Sequence, residues 1–229
     1  MYFKIKIFSV LIPFCLAVVS LFGGDDLADG IGDLFTERAK SVVAIEYFIQ
    51  RELDRSPVDA VGLVIDSEGL IVINESAVPN WLPPDHFKDF KVFPPGEGGD
   101  GYEAEYLGSD YLNGWHYLRV EEALRPRLVP ITEFETKTPV MGQKLWGIGI
   151  LDQNFDYRAY FLNGRMGMMQ KVPLKIGFSE SLLASPGCPV FDFKGRFAGW
   201  AGNPVTRERI LLSDGRQSRV GFRSIRESG

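Results

Sequence analysis

Two side chains that could act as nucleophiles share one stretch of this sequence. "LLASPGCPVFDFKGRFAGW", Leu182 to Trp200, holds the hydroxyl of Ser185 and the thiol of Cys188. A nucleophile of either kind needs an imidazole to take its proton and a carboxylate to orient that imidazole. The only imidazoles are His86 and His116. Cys188 has neither a charge nor a histidine beside it in sequence to stabilise a thiolate. It reads as a small buried residue. No cysteine–histidine cluster has the spacing of a metal site, so neither a metal nor a cofactor is expected. The run "PPGEGGDG" matches a phosphate-binding loop in composition alone. It lacks the Lys-Ser/Thr pair and the helix that such a loop needs, and it reads as a hairpin loop.

The elements around these residues are β-rich. "SVVAIEYFI" is crowded with β-branched and aromatic side chains. "AVGLVIDSEGLIVIN" is a hairpin, two apolar runs about the turn "DSEG". "FKVFPPGEGGDGYEAEYLG" is two strands about a Gly/Pro loop, and "GWHYLRVE" is another strand. After the proline-marked connection "LRPRLVPIT" a second set begins. It comprises "GQKLWGIGIL", "RAYFLNGRMGMM", "VPLKIGFS", "CPVFDFKGRFAGWAG", "RILLSD" and "SRVGFRSI". Short strands at close spacing without a long amphipathic helix imply barrels or sandwiches. The expected division is residues 41–132 and 133–229, with an acidic, Gly-rich linker over 25–40.

Residues 1–24 form a separate object. Lys4 and Lys6 precede an uncharged apolar run from Ile7 to Phe22. That is the layout of a secretory signal peptide, with an N-terminal membrane anchor as the alternative. Cys15 would leave with the signal, which leaves Cys188 without an intramolecular disulfide partner. The net charge of −5 gives no case for nucleic acid binding.

In order along the chain, these pieces resemble the trypsin-like serine proteases of bacteria, the DegP/HtrA type. "SVVAI" is similar to that family's opening strand. "GLVIDSEGLIVINESAV" resembles "G-S-G-x-I-I-x-x-x-G-x-I-V-T-N-x-H-V-V". "YLNGWHYLRV" resembles the strand of the catalytic aspartate, "VMGQKLWGIG" resembles "x-V-G-x-x-V-x-A-I-G", and "SRVGFRSI" resembles the closing "G-x-G-F-A-I-P". The resemblance runs from Ser41 to Ile225. It implies an all-β fold of two six-stranded Greek-key barrels with the active site in the cleft between them. The family often carries peptide-binding PDZ domains after the protease, and the expectation here is a chain without one.

Carried over position by position, the triad is lost. The histidine falls on Ser76, the aspartate on Gly114 and the serine on Pro186. Ser76 is no base near neutral pH, and Gly114 has no side chain. Pro186 lacks both the hydroxyl and the backbone N–H that would serve the oxyanion, a donor worth two to three orders of magnitude in rate by itself. A displaced site remains as an alternative, with Ser185 as nucleophile and His116 as base. Strand alternation puts His116 on the face of Gly114, and Asp110 or Glu75 would have to orient it.

The resemblance therefore implies an exported, catalytically inactive homologue that binds a protein or peptide in the inter-barrel cleft. An active endopeptidase using Ser185 and a structural envelope protein are the alternatives. Two further features belong to this reading. Arg207, Arg209, Arg216, Arg219, Arg223 and Arg226 form a basic C-terminal run, read as a solvated edge before an anion-binding patch. Trp81, Phe87, Phe90 and Phe93 either line a peptide groove or pack in the core.

Overall fold

The computed structural model describes residues 23–79, 82–110, 113–170, 176–180, 183, 187–202, 210–211, 217–218 and 224–226. The chain begins with helix α1 (Gly23–Ala39). The first group of strands is β1 (Val42–Gln50), β2 (Arg55–Val64), β3 (Leu70–Asn74), β4 (Phe87–Phe93), β5 (Tyr102–Asp110) and β6 (Trp115–Val120). They close into a barrel in the order β1-β2-β3-β6-β5-β4. The second group is β7 (Lys144–Ile150), β8 (Ala159–Gln170), β9 (Ile176–Glu180), β10 (Pro189–Phe191) and β11 (Phe197–Gly202). A small hairpin of β12 (Ile210–Leu211) and β13 (Gln217–Ser218) follows, then β14 (Ser224–Arg226). The second group also closes, in the order β10-β11-β14-β9-β8-β7. With the hairpin set aside, this is the strand order of the first barrel over again.

Alternation decides what each strand buries. In β6 the side chains of His116, Leu118 and Val120 are buried, and Trp115, Tyr117 and Arg119 are half-buried. Leu118 and Val120 join Val43, Ile45, Tyr47, Ile71 and Ile73 in the core of the first barrel. Leu145, Leu162, Met166, Cys188 and Val190 fill the second. A third cluster joins the two, with Val42, Leu63 and Val72 packed against Trp146, Ile148, Phe191, Phe197 and Trp200. The connection between barrels changes hands over a few residues. Ile131 N–H donates to Val64 O of the first barrel, while Glu133 O accepts from Phe197 N of the second.

One expectation is corrected and one alternative is decided. Residues 25–40 are not a loose linker, because α1 runs through them and docks. Leu34, Phe35 and Ala39 pack on the inter-barrel cluster. Arg38, 8% exposed, donates through Nε to Gly195 O at 2.6 Å and pairs with Glu133 at 3.0 Å. Leu34, Phe35, Arg38 and Ala39 lie on one helical face, a pattern obscured in the sequence by Gly30 and Gly32. Both glycines have open space around them, so they cost helix propensity without packing strain. Of the two readings of the aromatic run, core packing holds for Phe87, Phe90 and Phe93. Phe87 and Phe90 lie in the first core against Tyr47 and Tyr106, and Phe93 stacks on Tyr157 at 4.3 Å between centroids. Trp81 lies outside the described residues. Among the described residues no helix is long and apolar enough to cross a membrane, and the run Ile7–Phe22 lies outside them.

Candidate functional site

The site is built where β3 ends. Asn74 accepts from Ser76 N through Oδ1 at 3.0 Å, and Ala77 N donates to Asn74 O at 3.0 Å. These bonds curl residues 74–77 into a turn that presents Ser76. Tyr47, from inside the first barrel, donates its hydroxyl to Ala77 O at 2.7 Å and pins the turn from below. The turn is joined to the start of β6 by Glu75 N–H donating to Gly114 O at 2.8 Å. Gly114 has φ of 68°, the left-handed region that favours glycine.

The second barrel arrives at the same place. Gly187, φ 80°, is held by its N–H donating to Ala201 O at 2.7 Å. A Cβ on Gly187 would lie 3.5 Å from Ser76 Oγ and 3.6 Å from Ala77 Cβ. The histidine and aspartate positions of the resemblance, Ser76 and Gly114, are thus neighbours. A side chain at the residue directly after its serine position would meet Ser76 and Ala77. Pro186 and Ser185 themselves lie outside the described residues, as do Arg207, Arg209, Arg216, Arg219 and Arg223.

His116 is elsewhere engaged. It is 2% exposed, on the face of β6 that carries Leu118 and Val120 into the first core. Its Nδ1 lies 2.8 Å from the Tyr106 hydroxyl. Burial pulls its pKa down to about 4, so it is neutral at pH 7. Asp110 accepts from Asn113 N at 3.2 Å and from Asn113 Nδ2 at 2.7 Å, which commits its carboxylate to the turn before β6. Cys188 is 2% exposed within the second core. Among the described residues no group of three or more His, Cys, Asp or Glu side chains could hold a metal ion.

Sequence reasoning passed over two features of the site. Asn74 is 3% exposed, and among the described residues its Nδ2 has no hydrogen-bond partner; nor has the buried Nε1 of Trp115, directly opposite it in the β3–β6 ladder. Asn74 alternates with Val72 and so faces the second barrel, as Trp115 does. A β-strand asparagine flanked by isoleucine and glutamate was the available signal. The second feature is a cavity of about 210 Å³ between the barrels, which reaches from β1 and β2 to the end of β7, Tyr157 and Cys188. It begins at Cys188, one residue beyond Gly187.

No protein-family model matches the chain, and no curated protein matches it in sequence. In structure the chain is similar to the crystal structure of Deg5, with a TM-score of 0.61 at 22% identity. The match covers 76% of this chain and 85% of that one. The fold is trypsin-like. Within this trypsin-like frame the pinned turn at Ser76 yields a direct test. Tyr47→Phe leaves Ala77 O without its hydroxyl donor and is expected to cost about 1–2 kcal/mol in urea denaturation. The m-value should stay unchanged, since the barrel itself is kept.

Proposed function

We propose that this chain is an exported trypsin-like domain of the HtrA kind, with two Greek-key barrels and no working triad, that acts by binding an extended peptide or protein segment in the cleft between them. The observation that carries the reading is the approach of Gly187 to Ser76, close enough that a Cβ on the glycine would lie 3.5 Å from the serine hydroxyl. A serine hydroxyl, not an imidazole, stands against the loop that would carry a nucleophile, and the neighbouring Gly114 offers no carboxylate. An imidazole held near pKa 4, with Nδ1 against Tyr106, is a poor general base at neutral pH, which counts against a Ser185–His116 pair. The cavity between the barrels supports a cleft that still has room for part of a ligand. Lys4, Lys6 and the apolar run after them support export, or anchoring through residues 1–24.

The test is fluorophosphonate labelling of the purified chain, with Ser185→Ala as control and casein turnover alongside. No labelling of a chain folded by circular dichroism is the expected result. Labelling that disappears in Ser185→Ala would make Ser185 the nucleophile and replace this reading with that of an active endopeptidase.

A further inference from the structure

The inter-barrel cavity has a polarity that the rest of the cleft does not explain. Its walls include Ala44, Ala60, Val61 and Ile150, and carboxylates of Asp59 and Asp152 stand at its exposed mouth. Glu46 adds a third negative group. It faces Asp59 directly across the β1–β2 ladder, and its carboxylate accepts from the Tyr157 hydroxyl. Like charges opposite one another on adjacent strands destabilise a sheet. Here the Tyr157 hydroxyl is a neutral partner to Glu46 and supplies no positive charge. Among the described residues none of Glu46, Asp59 and Asp152 forms an ion pair, and no lysine or arginine lines the cavity. Burial and the repulsion of Glu46 and Asp152 all push the Asp59 carboxyl the same way, toward its protonated form.

An apolar shaft under an acidic mouth matches one kind of guest, an aliphatic stem with a cationic head. At about 210 Å³ the space suits a single side chain rather than a drug-sized ligand, whose pockets run about 300–1,000 Å³. The geometry points to this cavity as the subsite for a lysine or arginine side chain of the bound peptide, whose charge Asp59, Asp152 and Glu46 neutralise. The inference rests on the peptide-binding reading above and gives that reading its sequence preference. The subsite begins at Cys188, next to Gly187, so a peptide lying over Ser76 and Gly187 reaches it within a residue or two.

The test is selection of a randomised nonapeptide library displayed on phage against the immobilised full chain. The Asp59→Asn, Asp152→Asn double variant is run in parallel. Both residues are exposed, and asparagine keeps the cap that Asp152 provides to Asn154 N, so the variant should fold as the parent does. The expected result is enrichment of peptides with lysine or arginine at one register, lost in the variant. Replacing that basic residue by norleucine should weaken binding about three- to tenfold, and less at high salt. Enriched peptides with no basic preference, or one that the double variant keeps, would overturn the subsite and leave the peptide-binding reading standing. No enrichment at all would overturn both.

Discussion

Trp146→Ala is expected to lower the unfolding free energy by about 3–5 kcal/mol, the range for truncating a large buried aromatic. Trp146 is fully buried on β7 and stacks between Phe191, at 4.8 Å between centroids, and Phe161, at 5.8 Å. Its Nε1 donates to Asp192 O at 2.6 Å. Asp192 in turn caps its own turn by accepting from Lys194 N and Arg196 N, so the indole ties β7 to the β10–β11 hairpin. The same ring lies in the cluster that holds Val42, Leu63 and Val72 of the first barrel against the second. Truncation therefore opens a cavity, leaves the Asp192 carbonyl with one donor, the Gly195 N–H, in place of two, and loosens the seam on which the cleft depends. Trp146→Phe restores much of the volume and none of the hydrogen bond, and should cost about 1–2 kcal/mol less than the alanine variant. Urea denaturation followed by far-ultraviolet circular dichroism separates these cases. A loss below about 1 kcal/mol for Trp146→Ala would mean that the seam is not held by this cluster.

The parts of the fold that depend on local pattern were legible in the sequence. "AVGLVIDSEGLIVIN" does form β2, the turn and β3, with Asp66 Oδ1 accepting from Leu70 N and Gly69 at φ 75°. Cys188, read as a small buried residue, lies in the second core. What escaped the sequence depends on partners far along the chain. Helix α1 is held by a carbonyl at Gly195 and a carboxylate at Glu133, more than 90 residues away. No local signal could announce either. The acidic subsite escaped for the same reason. Glu46 and Asp59 face each other only through the β1–β2 register, and Asp152 and Tyr157 come from the other barrel. His116 shows the limit of alternation. Its face was readable from the strand pattern, but whether that face met the cleft or the barrel core was not, because β6 has buried neighbours on both sides.

His116 also makes the chain's stability depend on pH in a predictable window. In the folded state burial lowers its pKa from 6.5 to about 4. The unfolded chain therefore binds a proton between these values where the folded chain does not. Stability is highest above pH 6.5, and it falls as pH drops toward 4. The full shift corresponds to about 3 kcal/mol. Other groups act elsewhere or in the opposite sense. Asp192 is held below its ordinary value of 3.8 against burial by bonds from Arg196 and the backbone, so its contribution is lost only at more acid pH. Asp59 is raised above 3.8 and so gains a proton in the folded state first, which opposes the loss near the acid end of the window. His116→Gln isolates the effect, since the amide can accept from the Tyr106 hydroxyl but cannot be protonated. Urea midpoints measured from pH 7.5 to 4 should fall for the parent chain and stay nearly level for the variant. Parallel curves would show that the ring is solvated in the folded state. The imidazole would then be open to proton transfer, and the case against His116 as a base would lose its physical ground.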